Sequence, residues 1–132
     1  MTGCTLIRFI LLNWGRALVG DTPENKGQCV GLVEQWLDAN LKLHIWGDAK
    51  ALLVNADPKV YKVTDNTPLN FPPLGAIVVW GADWGDGHGH CAVVVAANAS
   101  RMAVFEQNNP AGSPPVLATH GYSGVVGWLI FQ

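Results

Sequence analysis

The sequence has little charge and no long uninterrupted apolar segment. Charged residues make up 14% of the 132 residues and the formal net charge is −2, so a basic surface for nucleic acid phosphates is not expected. A membrane-spanning helix needs about 20 consecutive apolar residues, whereas the apolar run near the start, Leu6–Leu12, is interrupted by Arg8. That run also lacks a small-residue cleavage site, so no signal peptide is predicted. We therefore expect neither nucleic acid nor a membrane as partner.

Cysteine is also scarce. Cys4, Cys29 and Cys91 are an odd number, and their spacing fits neither a disulfide framework nor a zinc knuckle. We interpret them as free thiols in a reducing compartment, at least while the protein is made. Apolar residues, in contrast, account for 49% of the chain. The length and this composition predict a single domain over residues 1–132 with one sizeable core.

Helical patterns come first along the chain and strand patterns follow. Helices are predicted from Thr5 to about Gly15, from Gln28 to Leu41 and over Asp48–Val54, and the first should pack through Ile7, Ile10, Leu11 and Trp14. Strands are predicted at Ala76–Trp80, Cys91–Ala97, Met102–Gln107 and Val125–Phe131. Helices followed by an antiparallel sheet indicate an α+β fold.

Cys29 occupies the start of the second predicted helix. Unpaired N–H groups and the helix dipole favour an anion there, as a thiolate nucleophile requires. Helical spacing places Cys29 on the apolar face with Leu32, Val33, Trp36 and Leu37, and places Gly31, Glu34, Gln35 and Asp38 on the solvent side. Helix position alone leaves two interpretations equal: a reactive thiol, or a cysteine packed as a small hydrophobe.

His90 is the candidate base among four histidines. It directly precedes the apolar run Cys91–Ala97 and follows the glycine-rich loop Gly81–Gly89, which would let a substrate approach. Alternation along a strand puts His90 on one sheet face and Cys91 on the other. The remaining histidines include His44 and His120, which we interpret as surface residues.

The hairpin after this strand predicts a partner for His90. If Asn98–Ser100 is a three-residue loop, Ala97 faces Arg101. Glu106 then lies on the same face as His90, and Asn108 lies opposite it. Glu106 could instead be a strand-end carboxylate in water, but its apolar neighbours favour a functional role.

Several segments together resemble one family. Gly27–Val33 is similar to the nucleophile motif of CHAP domains and of the related NlpC/P60 family, and Gly89–Val94 resembles the glycine–histidine strand. Phe105–Asn108 contains the Glu-Gln-Asn that follows in CHAP enzymes, where NlpC/P60 proteins usually have a second histidine. Pro73–Trp80 resembles the strand entering the site, and Tyr122–Trp128 resembles the end of phage lysin domains. The resemblance covers nearly the whole chain.

This resemblance implies a papain-like fold with N-terminal helices packed on a twisted antiparallel sheet. It implies Cys29 as nucleophile, His90 as base, Glu106 as the residue that orients His90, and Asn108 as a further polar member. Two positions depart from the family pattern: Ala76 stands where aspartate is usual, and Cys91 where an aliphatic residue is usual. Neither is a catalytic position.

The implied reaction is hydrolysis of an amide bond in the peptide part of peptidoglycan, by an N-acetylmuramoyl-L-alanine amidase or an endopeptidase. A phage endolysin or virion-associated lysin fits this reaction. Such a protein is made in the host cytoplasm and acts on the wall after release, or is carried in a virion. Because no wall-binding domain is recognisable, a separate wall-binding or phage tail protein is a candidate partner.

Three further residues are candidates for substrate contact. Gln28 would give a second donor to the oxyanion, and Trp80 and Trp84 flank the loop before His90, where they would line a groove for glycan or peptide. No cofactor is expected. Some CHAP domains bind calcium before the nucleophile, but the loop around Asp21 has two carboxylates and a lysine, against about six to eight oxygen ligands for calcium.

Two alternatives remain. His88 and His90 with His44 and Asp48 resemble the ligand set of lysostaphin-type zinc endopeptidases, although the flanking residues do not match and Cys29 would be unexplained. The other is a non-catalytic phage structural or wall-binding module. Packing alone would not require the combination of Cys29, His90, Glu106 and Asn108.

Overall fold

The computed structural model describes residues 3–16 and 26–132, with side chains in the first segment from Thr5 onward. The helices are α1 (Gly3–Asn13), α2 (Cys29–Ala39) and α3 (Leu52–Asn55), the last preceded by a 3-10 turn at Ala49–Ala51. The strands are β1 (Tyr61–Asp65), β2 (Ile77–Trp80), β3 (His90–Ala97), β4 (Met102–Glu106), β5 (Val116–His120) and β6 (Val125–Phe131). The predicted α+β class is confirmed. Within the described ranges, no helix combines the length and apolar character needed to cross a bilayer.

The six strands form one antiparallel sheet in the order β1-β6-β2-β3-β4-β5. Each face covers its own apolar cluster. One cluster combines α1 and α2 residues with Cys91 and Val93 of β3, and the other includes Ala92 and Val94 of the same strand. Side-chain alternation along β3 therefore separates the helix-covered face from the opposite face, as predicted.

Helix α2 packs its predicted apolar stripe on the sheet. Leu32, Val33, Trp36 and Leu37 are fully buried, and Cys29 is half-buried against the same cluster. The Trp36 Nε1–H donates to the carbonyl of Gly75 at 3.0 Å, which satisfies the indole donor inside the core.

The predicted solvent side of α2 is wrong at two positions: Gly31 is buried, and so is Glu34. Its side chain is buried, its two carboxylate oxygens accept from the backbone N–H of Ile45 at 3.3 Å, and Oε2 lies 3.1 Å from Nδ1 of His44. A buried carboxylate needs such partners. His44 is accordingly half-buried rather than a free surface residue, and this cluster ties α2 to the segment that follows it.

Helix α1 packs through a different face from the predicted one. Leu6 and Phe9 are buried, and the ring centroid of Phe9 lies 5.0 Å from that of Trp36. Ile10 packs against the core as expected, whereas the other three predicted contact residues are more than half exposed: Ile7, Leu11 and Trp14. The first helix has apolar residues on more than one face, so periodicity did not single out the buried one.

The two edge strands, β1 and β5, were not predicted. In β5, half-buried positions alternate with exposed ones, and the strand pairs with β4 through Glu106↔Val116 and Met102↔His120. Edge strands carry a weak apolar pattern because one side and much of one face meet solvent. Their sequences therefore resembled loops.

The β3–β4 hairpin differs from the predicted loop but reaches the predicted register. Ala97 pairs with Met102, so the loop has four residues instead of three. A register shift between Val94 and Ala96 then restores the pairing of Val93 with Phe105. This bulge offsets the longer loop, and Glu106 therefore lies on the face predicted for it.

The sheet is strongly curled. In the strand order, β3 and β4 lie between β2 and β5, which in a flat sheet would separate their axes by about 14 Å at roughly 4.8 Å per strand. The ring centroids of Trp80 on β2 and His120 on β5 are nevertheless 5.3 Å apart. The curl brings β5 over the sheet face that carries His90.

Gly89 illustrates how tightly the loop before β3 is held, and it generates the first prediction. Gly89 and Gly87 both have positive φ, +81° and +89°. A Cβ at Gly89 would lie 2.6 Å from the carbonyl oxygen of Trp80 and 2.8 Å from the backbone nitrogen of Lys50, whereas a Cβ at Gly87 would meet nothing within 4 Å.

We expect Gly87→Ala to lower the free energy of unfolding by about 1 kcal/mol, the cost of a left-handed alanine. Gly89→Ala should lose about 1–3 kcal/mol more, because backbone atoms must also move. Urea denaturation of the two variants measures the difference. Equal losses would show that the close approach at Gly89 carries no cost.

Candidate active site

Cys29 is the first residue of α2, and its backbone is fixed by the residue before it. Gln28 has extended dihedral angles (φ −90°, ψ 160°) and makes no side-chain cap. Its carbonyl accepts a 2.7 Å hydrogen bond from Nε2 of the buried Gln107. The first N–H groups of a helix have no intrahelical acceptor, so the start of α2 offers donors to an anion beside the Cys29 thiol.

His90 and Glu106 form a buried pair. His90 Nε2 lies 2.9 Å from Oε1 of Glu106, and both side chains are almost completely buried. An ionised carboxylate only accepts, so Nε2 carries the proton and donates. Nδ1 is then the ring nitrogen left for the Cys29 thiol, with which the imidazole is also hydrogen-bonded. The predicted contact between Glu106 and His90 is present in the structure.

The last residue of β4, Glu106, and the residue that follows it, Gln107, hold the two halves of this site. Strand alternation directs Glu106 to the face of His90 and Gln107 to the face covered by α2. Glu106 binds the imidazole, and Gln107 binds the carbonyl that precedes Cys29. The positions of the thiol and the imidazole are thus set by neighbouring residues of one strand end.

The thiol and imidazole shift each other's protonation. The pKa of Cys29 is lowered to about 5, chiefly by a hydrogen bond from the Cys91 thiol, which with the hydrogen bond and positive charge of His90 outweighs the effect of burial. Burial lowers the pKa of His90, but its bonds to Cys29 and Glu106 outweigh that effect and raise it to about 9. Between these values the favoured state is a thiolate–imidazolium pair.

Cys91 lies on the helix-covered face, opposite to His90, as predicted. It is fully buried, and burial together with its contact with Cys29 raises the pKa of its thiol well above the usual range. Cys91 therefore keeps its proton and donates it in a hydrogen bond to the Cys29 sulfur. The resemblance marked this residue as a departure from the family pattern, and here it supports the thiolate.

His120 is a site residue that the sequence interpretation missed. Its Nε2 lies 2.9 Å from Oε1 of Glu106, the same oxygen that His90 contacts. Its side chain is 18% exposed, so it is not the surface histidine that was predicted. The curl of the sheet brings it there, and a strand pattern too weak to reveal β5 gave no signal of this contact.

A cavity of about 460 Å³ opens beside the thiol. Cys29, His90, Gln28 and Asn108 are among the residues that line it, together with Asp48, Asp86 and His88 from the surrounding loops. The predicted proximity of Gln28 to the site is thus present, and its role toward an oxyanion stays a prediction.

Asn108 does not lie opposite His90 in the sheet, which corrects the predicted pairing. Strand β4 ends at Glu106, and Asn108 has a left-handed backbone (φ 66°). Its Oδ1 accepts from the N–H of Gly112 at 2.6 Å, and its own N–H donates to the carbonyl of Ser113. Asn108 shapes the turn at the cavity wall, and its catalytic role stays a prediction.

The two tryptophans pack around the imidazole. Trp80 is fully buried, so the prediction that it lines a substrate groove is wrong. Its ring centroid lies 5.1 Å from that of His90, and Trp84 stacks on His90 at 5.9 Å with an interplanar angle of 16°. Both rings limit the movement of the imidazole. Trp84 is half-buried, and its contact with substrate stays a prediction.

The histidines of the zinc alternative each contact a different carboxylate. His44 lies against Glu34 and His88 against Asp48, at 3.1 and 3.4 Å, while His90 binds Glu106. In residues 3–16 and 26–132, no three histidine, cysteine or acidic side chains are grouped so that they could hold a metal ion. Asp21, the weak calcium candidate, lies outside the described residues.

The chain is similar to known proteins both in sequence and in fold. The CHAP domain family model matches residues 20–108. The fold is similar to the crystal structure of the wild-type endolysin LysIME-EF1, with a TM-score of 0.79 and 21% identity over 96% of this chain and 62% of that one.

Two further solved structures have the same fold. Ly7917 with the hydrolyzing product of MDP gives a TM-score of 0.76 and 19% identity over 98% of this chain and 63% of that one. The crystal structure of PlyC gives a TM-score of 0.75 and 21% identity over 97% of this chain and 35% of that one. The chain thus spans less than two thirds of the length of these structural relatives. None of the curated proteins compared with the chain matches it.

A thiol at the N-terminus of a helix thus lies beside an imidazole and a carboxylate from an antiparallel sheet. The chain belongs to the CHAP domain family.

The ion pair predicts how Cys29 reacts with iodoacetamide, which alkylates the thiolate. In a Cys4→Ala background, the alkylation rate should rise through about pH 5 and level off, because the pKa of Cys29 is lowered to about 5. Replacing His90 by alanine, or Cys91 by alanine, should move this rise to higher pH, since each change removes a group that stabilises the thiolate. Mass spectrometry of timed reactions gives the rates.

Cys91→Ser is the matched control for the second variant, because a hydroxyl still donates a hydrogen bond to the thiolate. Its alkylation profile should stay closer to that of the parent protein than the profile of Cys91→Ala. A rate that rises only near pH 9 in the parent protein would contradict the ion pair.

Proposed function

We propose that the protein hydrolyses an amide bond in the peptide part of peptidoglycan, with Cys29 as nucleophile and His90 as general acid and base. The observation that carries this proposal is the Cys29 thiol at the start of α2, hydrogen-bonded to an imidazole that Glu106 holds from its other side. Membership of the CHAP family and the similarity of the fold to an endolysin support it.

In the first half-reaction, the Cys29 thiolate attacks the carbonyl carbon of the scissile amide. The negative charge that forms on the oxygen is stabilised by the backbone N–H of Cys29 and by the dipole of α2, with the Gln28 side chain at the cavity wall as a second donor. His90 then gives its Nδ1 proton to the leaving amine. The carbon–nitrogen bond breaks and a thioester to Cys29 remains.

In the second half-reaction, neutral His90 takes a proton from a water molecule that attacks the thioester. The tetrahedral species collapses, the carboxylic acid product leaves, and the Cys29 thiolate and the His90 imidazolium return. Glu106 keeps the same ring nitrogen protonated throughout, so that Nδ1 exchanges protons in both half-reactions. This is the part that the third member of a catalytic triad performs.

The substrate assignment rests on the family and fold. Peptidoglycan is the substrate class of a phage lysin, and the cavity beside Cys29, about 460 Å³ in volume, has room for several residues of a peptide. Because the chain spans 62–63% of the first two structural relatives, we propose that wall binding involves a partner or further segment. Within this proposal, the protein acts on the wall after release from the host cytoplasm or from a virion.

The nucleophile is tested by lysis of bacterial walls. Cys29→Ala should reduce turnover at least 1,000-fold, because loss of a covalent nucleophile leaves only binding and electrostatic contributions. Cys4→Ala is the matched control and should keep most of the activity. The decrease in turbidity of a wall suspension measures both. Unchanged lysis by a folded Cys29→Ala protein would exclude the thiol mechanism.

Digest products and chelation distinguish the remaining possibilities. Mass spectrometry should show free N-terminal L-alanine on intact stem peptides for an amidase, or shortened peptides for an endopeptidase.

EDTA and phenanthroline should leave the rate unchanged, since no step of the proposed reaction uses a metal. Loss of activity with phenanthroline and recovery with zinc would support the zinc alternative, and recovery with calcium would support a site near Asp21.

A further inference from the structure

We propose that His120 is a positioning residue that holds the Glu106 carboxylate against His90, so that the site is a chain of four side chains: Cys29, His90, Glu106 and His120. The proposal rests on the thiol mechanism given above. It adds to that mechanism a residue from the edge strand β5, which lies two strands away from His90 in the sheet order.

The first support is the geometry at one oxygen atom. Oε1 of Glu106 lies 2.9 Å from Nε2 of His90 and 2.9 Å from Nε2 of His120. A carboxylate offers only acceptors, so both Nε2 atoms are donors. The other oxygen, Oε2, has a longer contact of 3.5 Å with Nδ2 of Asn109. The two histidines therefore provide the two short bonds that hold the carboxylate.

The second support is the enclosure of His120. Its side chain is 18% exposed, and its ring meets Trp80 and Trp84 edge to face, with centroids 5.3 and 5.4 Å away and interplanar angles of 76° and 84°. The same two indoles also contact His90. A histidine required only for folding would not need to share its aromatic cage and its acceptor atom with the catalytic base.

The third support is the charge on Glu106. Burial raises the pKa of this carboxyl, but the hydrogen bond from His120, that from His90 and their positive charges outweigh burial and lower it to about 2. An orienting residue must remain ionised and in place while His90 gains and loses its Nδ1 proton. While His90 is neutral it still donates from Nε2 but no longer attracts the carboxylate through a positive charge, so the second donor, His120, contributes most to holding Glu106 in that phase.

The experiment compares His120→Ala and His120→Gln in the parent protein and in a Glu106→Ala background, in which His120 has no acceptor at position 106, with soluble peptidoglycan fragments as substrate. In the parent, His120→Ala should lower kcat about 10-fold with little change in KM, an effect typical of residues that orient a site residue. His120→Gln should recover most of the rate, because its amide N–H can still donate. In the Glu106→Ala background, the same substitutions should change kcat less than about 2-fold, because there is no carboxylate left for His120 to hold.

The pH profile of kcat gives a readout that a purely structural role would not move. The alkaline limb reports loss of the His90 proton, whose pKa is raised to about 9 in part by Glu106. In His120→Ala the carboxylate is held less firmly, so this limb should move to lower pH. His44→Ala is the matched control, since His44 also contacts a buried carboxylate, Glu34, but away from the cavity. It should leave kcat and its pH limbs unchanged.

The outcomes separate this inference from the proposed function. Equal losses of kcat in both backgrounds, or an alkaline limb that stays in place, would overturn the role of His120 even when Cys29→Ala is inactive. Full activity of Cys29→Ala would overturn the thiol mechanism itself. Circular dichroism and thermal unfolding identify a variant that fails to fold. If His120→Ala does not fold, His120→Gln is the test: it keeps a donor and a similar volume, and recovery of most of the rate supports the role of His120, whereas a loss of kcat in a folded protein contradicts it.

Discussion

The arrangement of the site depends on one constraint, the reversal of side-chain direction between consecutive residues at the end of β4 (Met102–Glu106). Glu106 faces the imidazole of His90, and Gln107 faces the start of α2, where it binds the Gln28 carbonyl. Thiol and imidazole come from different layers of the fold. One strand end fixes both, so their separation depends on backbone geometry that the sheet already holds rigid.

Burial gives this arrangement its chemical effect. His90 and Glu106 are nearly inaccessible to water, and Cys29 is half-buried. In such surroundings a charge is costly unless it is paired, and a paired charge interacts more strongly than it would in water. The alternating order of thiolate, imidazolium and carboxylate meets that condition. The Cys91 thiol adds a neutral donor to the Cys29 sulfur, without adding a charge to the core.

The sequence allowed the site to be predicted where local periodicity determines position. Helical spacing identified the buried face of α2, and strand alternation placed Glu106 with His90, although two deviations at the hairpin offset each other. Periodicity did not predict the positions of residues whose burial depends on contacts with distant parts of the chain. Trp80 is a core residue, and Glu34 is buried because the Ile45 backbone reaches it. His120 enters the site only through the curl of the sheet, which a one-dimensional pattern does not contain.

That curl also explains how an edge strand comes to serve a site formed elsewhere. None of the side chains of β5 (Val116–His120) is fully buried, and the pairing of β5 with β4 carries it over the face that holds Trp80 and His90. An aromatic layer, formed by Trp80 and Trp84, fills the space between the curled strands and contacts both histidine rings. The packing of Trp80 and Trp84 is thus linked to the position of the Glu106 carboxylate. Both indoles belong to the apolar cluster on the face opposite the helices, and both hold the two histidine rings that donate to Oε1 of Glu106.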